Sequence, residues 1–166
     1  LDRPTSGEIS IDGTQLSKHK DNELTEIRLR KIGFVFQAYN LIPVLTAYEN
    51  VQFVLQVQGV PEREHRNRIM PILEDLGING LENRFPTQLS GGQQQRVAVA
   101  RAVVGNPTIV LADEPTANLD SETSKNLLDL MRHLNEEKGV TFLFSTHDPM
   151  VIERARRVIR LRDGKV

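Results

Sequence analysis

Leu89-Ser90-Gly91-Gly92-Gln93, followed by Thr108-Ile109-Val110-Leu111-Ala112-Asp113-Glu114-Pro115 and then Asn118-Leu119-Asp120, is the stretch that decides the fold of this chain. Ser90 is a good N-cap and Gln93, three residues on, completes a capping box, so a helix starts here with unpaired backbone N–H groups at its tip. The peptide dipoles summed at such a tip favour an anion such as phosphate. The four apolar residues before Asp113 read as a buried strand that ends in two carboxylates. Asp113 at the strand end suits Mg²⁺, a hard cation that takes carboxylate and water oxygens, while Glu114 stands where it can polarise a water. Taken singly, each motif is ordinary, since Ser-Gly-Gly starts many helices and Asp-Glu-Pro closes many strands. Their order is not ordinary. Asp113 follows Gln93 by twenty residues, room for one helix and a turn, and the combination points to a nucleoside triphosphatase site.

Outward from this stretch the chain alternates strand and helix, the pattern of a parallel α/β sheet. Residues 8–12 alternate apolar and polar and end at Gly13, as a half-buried edge strand does. A short helix is expected over 21–30, with Leu24 and Ile27 on one side, and strands over 32–36, 108–112, 140–146 and 158–161. The near-continuous apolar runs at 109–112 and 140–144 imply a sheet covered on both faces. Between these lie helical patterns. One starts at Thr46 and stops at Gly59. A second follows Pro61, carries Ile69, Ile72, Leu73 and Leu76 on one face, stops at Gly77, and should kink or restart at Pro71. The helix opened by Ser90 should stop at Gly105, and one from about Ser121 to Lys138 carries Leu127, Leu130, Met131 and Leu134 before Gly139 ends it. The expected organisation is one domain with two lobes, an α/β core lobe from 1–45 and 106–166 and a helical lobe from 46–105.

The 166 residues are 39% hydrophobic and 26% charged, ordinary for a soluble domain with one sizeable core. A net charge of −1 gives no global attraction to nucleic acid, and the arginines between 154 and 162 read as a solvated face. With no cysteine there is neither a disulfide framework nor a cysteine zinc site. No stretch reaches the roughly 20 apolar residues that span a bilayer, so membrane association is expected through a partner. Of the histidines, His19, His65 and His133 read as surface residues.

These residues resemble the ATP-binding-cassette (ABC) ATPases, over essentially the whole chain. On that resemblance 89–93 is the signature loop, 109–113 the Walker B strand, Glu114 the catalytic carboxylate and 118–120 the D-loop. Gln37, closing Ile32-Gly33-Phe34-Val35-Phe36, matches the Q-loop glutamine, and His147, after Ser145-Thr146, the switch histidine. The resemblance implies catalysis by Glu114 and His147, nucleotide contacts from Gln37, Ser90, Gly91, Gly92, Gln93 and Asp120, and Mg²⁺ held by Asp113 and Gln37. It also implies ATP as the nucleotide. The phosphate-cradling loop G-x-x-x-x-G-K-[ST] has no match among the eleven glycines. Gly164-Lys165 is the one Gly-Lys pair, and Val166 follows it. Residues 1–7 look like the segment just after the P-loop helix, so the expectation is a P-loop NTPase-type fold that lacks its N-terminal strands and P-loop, inactive in this form.

The resemblance further implies the ATPase subunit of a transporter, working as a head-to-tail dimer with an integral membrane permease, peripheral on the cytoplasmic face of the membrane. Within the family, 34–43, 45–50 and 89–96 look most like the lipoprotein-releasing and macrolide-export type, with the cell-division ATPase a close relative. DNA-repair and chromosome-maintenance ATPases insert a long coiled coil or zinc module between Q-loop and signature. Only 53 positions separate Gln37 from Ser90, without sustained heptads or cysteine, which disfavours a nucleic-acid partner. An inert remnant is the third reading.

Overall fold

The structure, a computed structural model, describes residues 4–166. The first three residues of the expected 1–7 segment lie outside it. Ser10–Ile11 (β1) and Thr14–Gln15 (β2) form a two-stranded antiparallel hairpin. Asp12 and Gly13 make the turn, both with positive φ (49° and 71°), the requirement of a tight hairpin loop that matches strand twist. The expected strand over 8–12 is therefore shorter, because the turn claims Asp12.

The core sheet is parallel, in the order β3-β4-β5, built from Ile32–Val35 (β3), Ile109–Asp113 (β4) and Thr141–Ser145 (β5). Helices Asp21–Lys31 (α1), Ala47–Val57 (α2), Glu62–Asp75 (α3), Gly91–Val103 (α4), Ser121–Lys138 (α5) and Pro149–Arg154 (α6) complete the chain. Side chains alternate across a strand, so one sheet face carries Val35, Val110 and Ala112, all buried, and packs on α4. The opposite face carries Ile32, which is buried, Phe34, Ile109 and Leu111, which are partly buried, and Leu143, which is 54% exposed. Among the described residues the sheet is thus fully covered on one face and only partly on the other, where the apolar runs had implied cover on both. Phe34 and Phe36 stack on each other there at 5.8 Å.

One core cluster runs from Val35 and Val110 through Val97 and Ala100 to Leu55, Leu73 and Leu76, and to Leu127, Met131 and Leu134. The i, i+3, i+4, i+7 face of α3 is buried as expected. Truncating Leu73, which is wholly buried, costs about 2–5 kcal/mol by the usual sum of lost transfer energy and cavity. Pro71 does not restart α3. It lies on the exposed side, as does Asn67, so water can satisfy the carbonyl that loses its N–H partner. On α5, Leu128 is buried and Leu130 only half-buried.

Gly59, Gly77 and Gly139 end their helices in the left-handed conformation, as read. Gly105 does not. The left-handed residue there is Asn106 (φ 53°), and a Cβ on Gly105 would lie 2.4 Å from Gln58 Nε2, so this glycine answers a close approach rather than a turn. Residues 158–161 form no strand. They are exposed and find no neighbouring strand to pair with, and a single antiparallel bridge, Arg162 with Lys165, follows them.

His65 is a further correction. It is 2% exposed, wedged between α2 and α3, with Nδ1 3.1 Å from Gln52 Nε2 and Nε2 2.8 Å from the Val60 carbonyl oxygen. A carbonyl only accepts, so Nε2 carries the proton and Nδ1 accepts from Gln52. Its neighbours on the charged face of α3 disguised a buried side chain at the same helical angle as Ile69 and Ile72.

Candidate functional site

In open parallel sheets, ligands bind beyond the carboxyl ends of the strands. Register brings four sequence-predicted residues to that end. Val35 pairs with Ala112 and Asp113 with Ser145, so Gln37, Asp113 with Glu114, and His147 leave three adjacent strands on one side. Asp113 is exposed at the tip of β4.

Glu114 is held from several directions. Its N–H donates to the Ser145 carbonyl at 3.0 Å, extending the parallel pairing by one residue. Its φ of 42° is left-handed, unusual for a glutamate and the sort of strain that surrounding bonds must hold in place. The Thr146 hydroxyl donates to Oε2 at 2.8 Å, while the His147 N–H (3.2 Å) and ring Nδ1 (2.6 Å) converge on Oε1. Burial pushes the Glu114 carboxyl up, but the hydrogen bonds from Thr146 and His147 outweigh it and hold the group below the usual glutamate range. Glu114 is thereby a fixed, ionised carboxylate near neutral pH. The His147 side chain is 91% exposed, and with Nδ1–H given to Glu114 its Nε2 remains for a second partner.

The loop after Glu114 is tied to all its neighbours. Thr116 donates to Asp148 at 2.9 Å, Asn118 Nδ2 donates to the Gln37 carbonyl at 2.9 Å, and Gln95 Nε2 donates to the Pro115 carbonyl at 2.8 Å. Thr116, Asp148, Thr146 and Gln95 are site-supporting residues that sequence reasoning passed over. Thr146 and Asp148 flank His147, and an ST or Asx cap there is a legible signal. Gln95 gives none, since only burial distinguishes it from Gln93 and Gln94.

The signature residues gather elsewhere. Ser90 accepts from Gln93 N–H at 3.3 Å and Gln93 Oε1 accepts from Ser90 N–H at 2.9 Å, the expected capping box. A Cβ on Gly91 would meet the Tyr39 hydroxyl at 2.8 Å and one on Gly92 the Thr123 methyl at 2.5 Å, so both glycines permit close packing at the tip of α4. Asp120 is the N-cap of α5, accepting from Thr123 N–H at 2.9 Å and Thr123 Oγ1 at 2.6 Å, and the Thr123 hydroxyl and N–H hold its carboxyl below the usual range. Among the described residues no hydrogen bond joins 90–93 to Asp113 or Glu114. The fold thus makes two clusters, strand-end carboxylates with His147, and the paired tips of α4 and α5.

After Gln37 the backbone turns through two left-handed residues, Tyr39 (φ 58°) and Asn40 (φ 50°). Arg101 of α4 fixes this turn by donating to the Tyr39 carbonyl at 2.9 Å and the Asn40 carbonyl at 2.5 Å. Asn50, wholly buried, holds the next segment with its amide: it accepts from Ile42 N–H and donates to the carbonyls of Ile42, Leu45 and Thr46. Leu41 and Tyr48 pack against the core, and Val44, at 76%, is a large apolar side chain left exposed in this segment.

A sequence profile of the ABC transporter family matches residues 1–117. An ABC transporter ATP-binding protein of Thermotoga maritima is 46% identical over 166 residues, which is all of this chain and 70% of that protein. The lipoprotein-releasing system ATP-binding protein LolD of Syntrophus aciditrophicus is 43% identical over 166 residues, again all of this chain and 74% of its own length. Among solved structures, the ATP-binding cassette MJ0796, in a dimeric post-hydrolysis state bound to ADP and Pi, superposes with a TM-score of 0.85 at 47% identity, over 99% of this chain and 73% of that one. MJ0796 comes from Methanocaldococcus jannaschii. The chain belongs to the ABC transporter family, as an ATP-binding domain. Its α/β fold is that of the ABC ATPase cassette.

Proposed function

We propose that this chain is part of an ATPase subunit that couples ATP hydrolysis to export or release of lipoproteins, peptides or drugs through a membrane permease. The observation that carries the catalytic part is the fixed, ionised Glu114 at the strand ends, with His147 bonded to it. Glu114 stands to orient and activate the attacking water, and His147 Nε2 to face the γ-phosphoryl oxygens. The residues fit Mg²⁺: Asp113 offers a carboxylate and Gln37 an amide oxygen, and a hard cation that keeps several waters takes few protein ligands besides phosphate. Among the described residues no three His, Cys, Asp or Glu side chains form a cage that could hold a metal by themselves. When bound, Mg²⁺ neutralises phosphate oxygen charge.

The separation of the α4 and α5 tips from the carboxylates supports a head-to-tail dimer, in which Ser90 and Gly91 of one copy face the γ-phosphate bound at the Glu114 of the other. The segment 38–50, the turn after Gln37 and the first turn of α2, is the proposed dock for the permease, on the strength of its place after Gln37 and of exposed Val44. Among the described residues no helix is long and apolar enough to cross a membrane; the proposed attachment, peripheral and on the cytoplasmic face through that permease, rests on the family resemblance. Resemblance of 34–43, 45–50 and 89–96 favours the lipoprotein-releasing or macrolide-export type over the cell-division type. The experiment is steady-state turnover of Mg-ATP by the intact subunit with and without Glu114→Gln. Unchanged turnover would remove Glu114 from the reaction.

A further inference from the structure

Gln95 sits in the middle of α4 with no exposed surface, in a run where Val97, Ala98, Val99 and Ala100 are equally buried. Its Nε2 lies 2.8 Å from the Pro115 carbonyl oxygen and 3.5 Å from the Phe36 carbonyl oxygen. Both are acceptors only, which fixes the amide's orientation. Each belongs to the residue beside a site residue, Pro115 after Glu114 and Phe36 before Gln37. The other end of the amide, Oε1, is buried without a hydrogen-bond partner among the described residues. A methionine or leucine would fill this space without stranding an acceptor, so filling the core does not account for a glutamine here.

We propose that Gln95 is a positioning residue for ATP hydrolysis, tying the helix that begins at Ser90 to the backbone flanking Glu114 and Gln37. This rests on the ATPase reading of the strand-end site. The helix between Ser90 and Gln95 is continuous, and Arg101 further along it grips Tyr39 and Asn40. A displacement of the Ser90 tip by a ligand therefore passes through Gln95 to the two strand-end segments that carry the chemistry.

The test uses Gln95→Met and Gln95→Glu in the intact subunit. With Met, kcat for Mg-ATP falls about tenfold or more while KM changes less than about twofold, since misplacing reacting groups slows chemistry more than binding. With Glu, kcat is low at pH 8 and climbs back as pH falls, because only the protonated carboxyl has an O–H to give to Pro115. Amide hydrogen exchange supplies a readout independent of turnover: in Gln95→Met, protection falls at least about tenfold over 114–118 and 36–40 and stays put in α2 and α3. Wild-type kcat in both variants, or loss in both with no recovery at low pH, overturns the proposal, as does unchanged exchange over the two loops. A wild-type subunit that does not hydrolyse ATP sinks the ATPase reading instead, and the exchange measurement still decides whether Gln95 tethers the loops.

Discussion

The ring Nδ1 of His147 stands 2.6 Å from Oε1 of Glu114, bridging the ends of β5 and β4. Neither residue is placed by its own strand alone, since the bond exists only because Asp113 pairs with Ser145. If Glu114 orients the water, Glu114→Gln in the intact subunit lowers kcat by about 10²- to 10⁴-fold and spares nucleotide binding. Turnover and a binding titration check both halves.

The donors to Glu114 also set a pH dependence. A carboxyl held below its usual range stabilises the fold above that range, about pH 4.3, and loses the contribution as pH falls through its depressed value. Thr146→Val removes one donor and lets the group rise. The stability gap between wild type and Thr146→Val, measured by denaturant titration, should be largest at pH 7 and shrink below pH ~4.

Dimerisation tests the α4 tip. In an intact, hydrolysis-blocked subunit, Ser90→Arg should abolish ATP-dependent dimerisation seen by light scattering. Because Ser90 is also an N-cap, whose loss costs about 1 kcal/mol, Ser90→Ala is the control. Dimerisation that survives the arginine counts against the head-to-tail arrangement.

Asn50→Leu should destabilise the chain by about 2–3 kcal/mol, as the carbonyls of Ile42, Leu45 and Thr46 and the Ile42 N–H lose a buried partner. Thermal unfolding measures the cost. Crosslinking from Val44, which does not contribute to that network, should still reach a permease in membranes.

The 166-residue polypeptide by itself should bind Mg-ATP far more weakly than micromolar. Its sequence holds no G-x-x-x-x-G-K-[ST], so Asp113, Glu114 and Gln37 present mostly acceptors to an anion. The partly covered sheet face, with Leu143 54% and Phe36 38% exposed, should favour association at high concentration. Isothermal titration and light scattering on this polypeptide decide both points, and micromolar affinity would refute the first.

By itself the sequence determined the alternation of strand and helix, the cap at Ser90, the stops at Gly59, Gly77 and Gly139, and the carboxylates at the end of β4. All of these rest on residues within about four positions of one another, where hydrogen-bond and side-chain periodicities act. Tertiary structure decided the rest. Whether His65 is buried, whether 158–161 pairs, and which face of the sheet is only partly covered depend on what packs there from elsewhere in the chain. Gln95 and Arg101 look like any polar residues on a helix until the carbonyls of Pro115, Tyr39 and Asn40 arrive from 20 to 62 residues away. Burial and long-range bonding are properties of the assembled fold, and no local pattern encodes them.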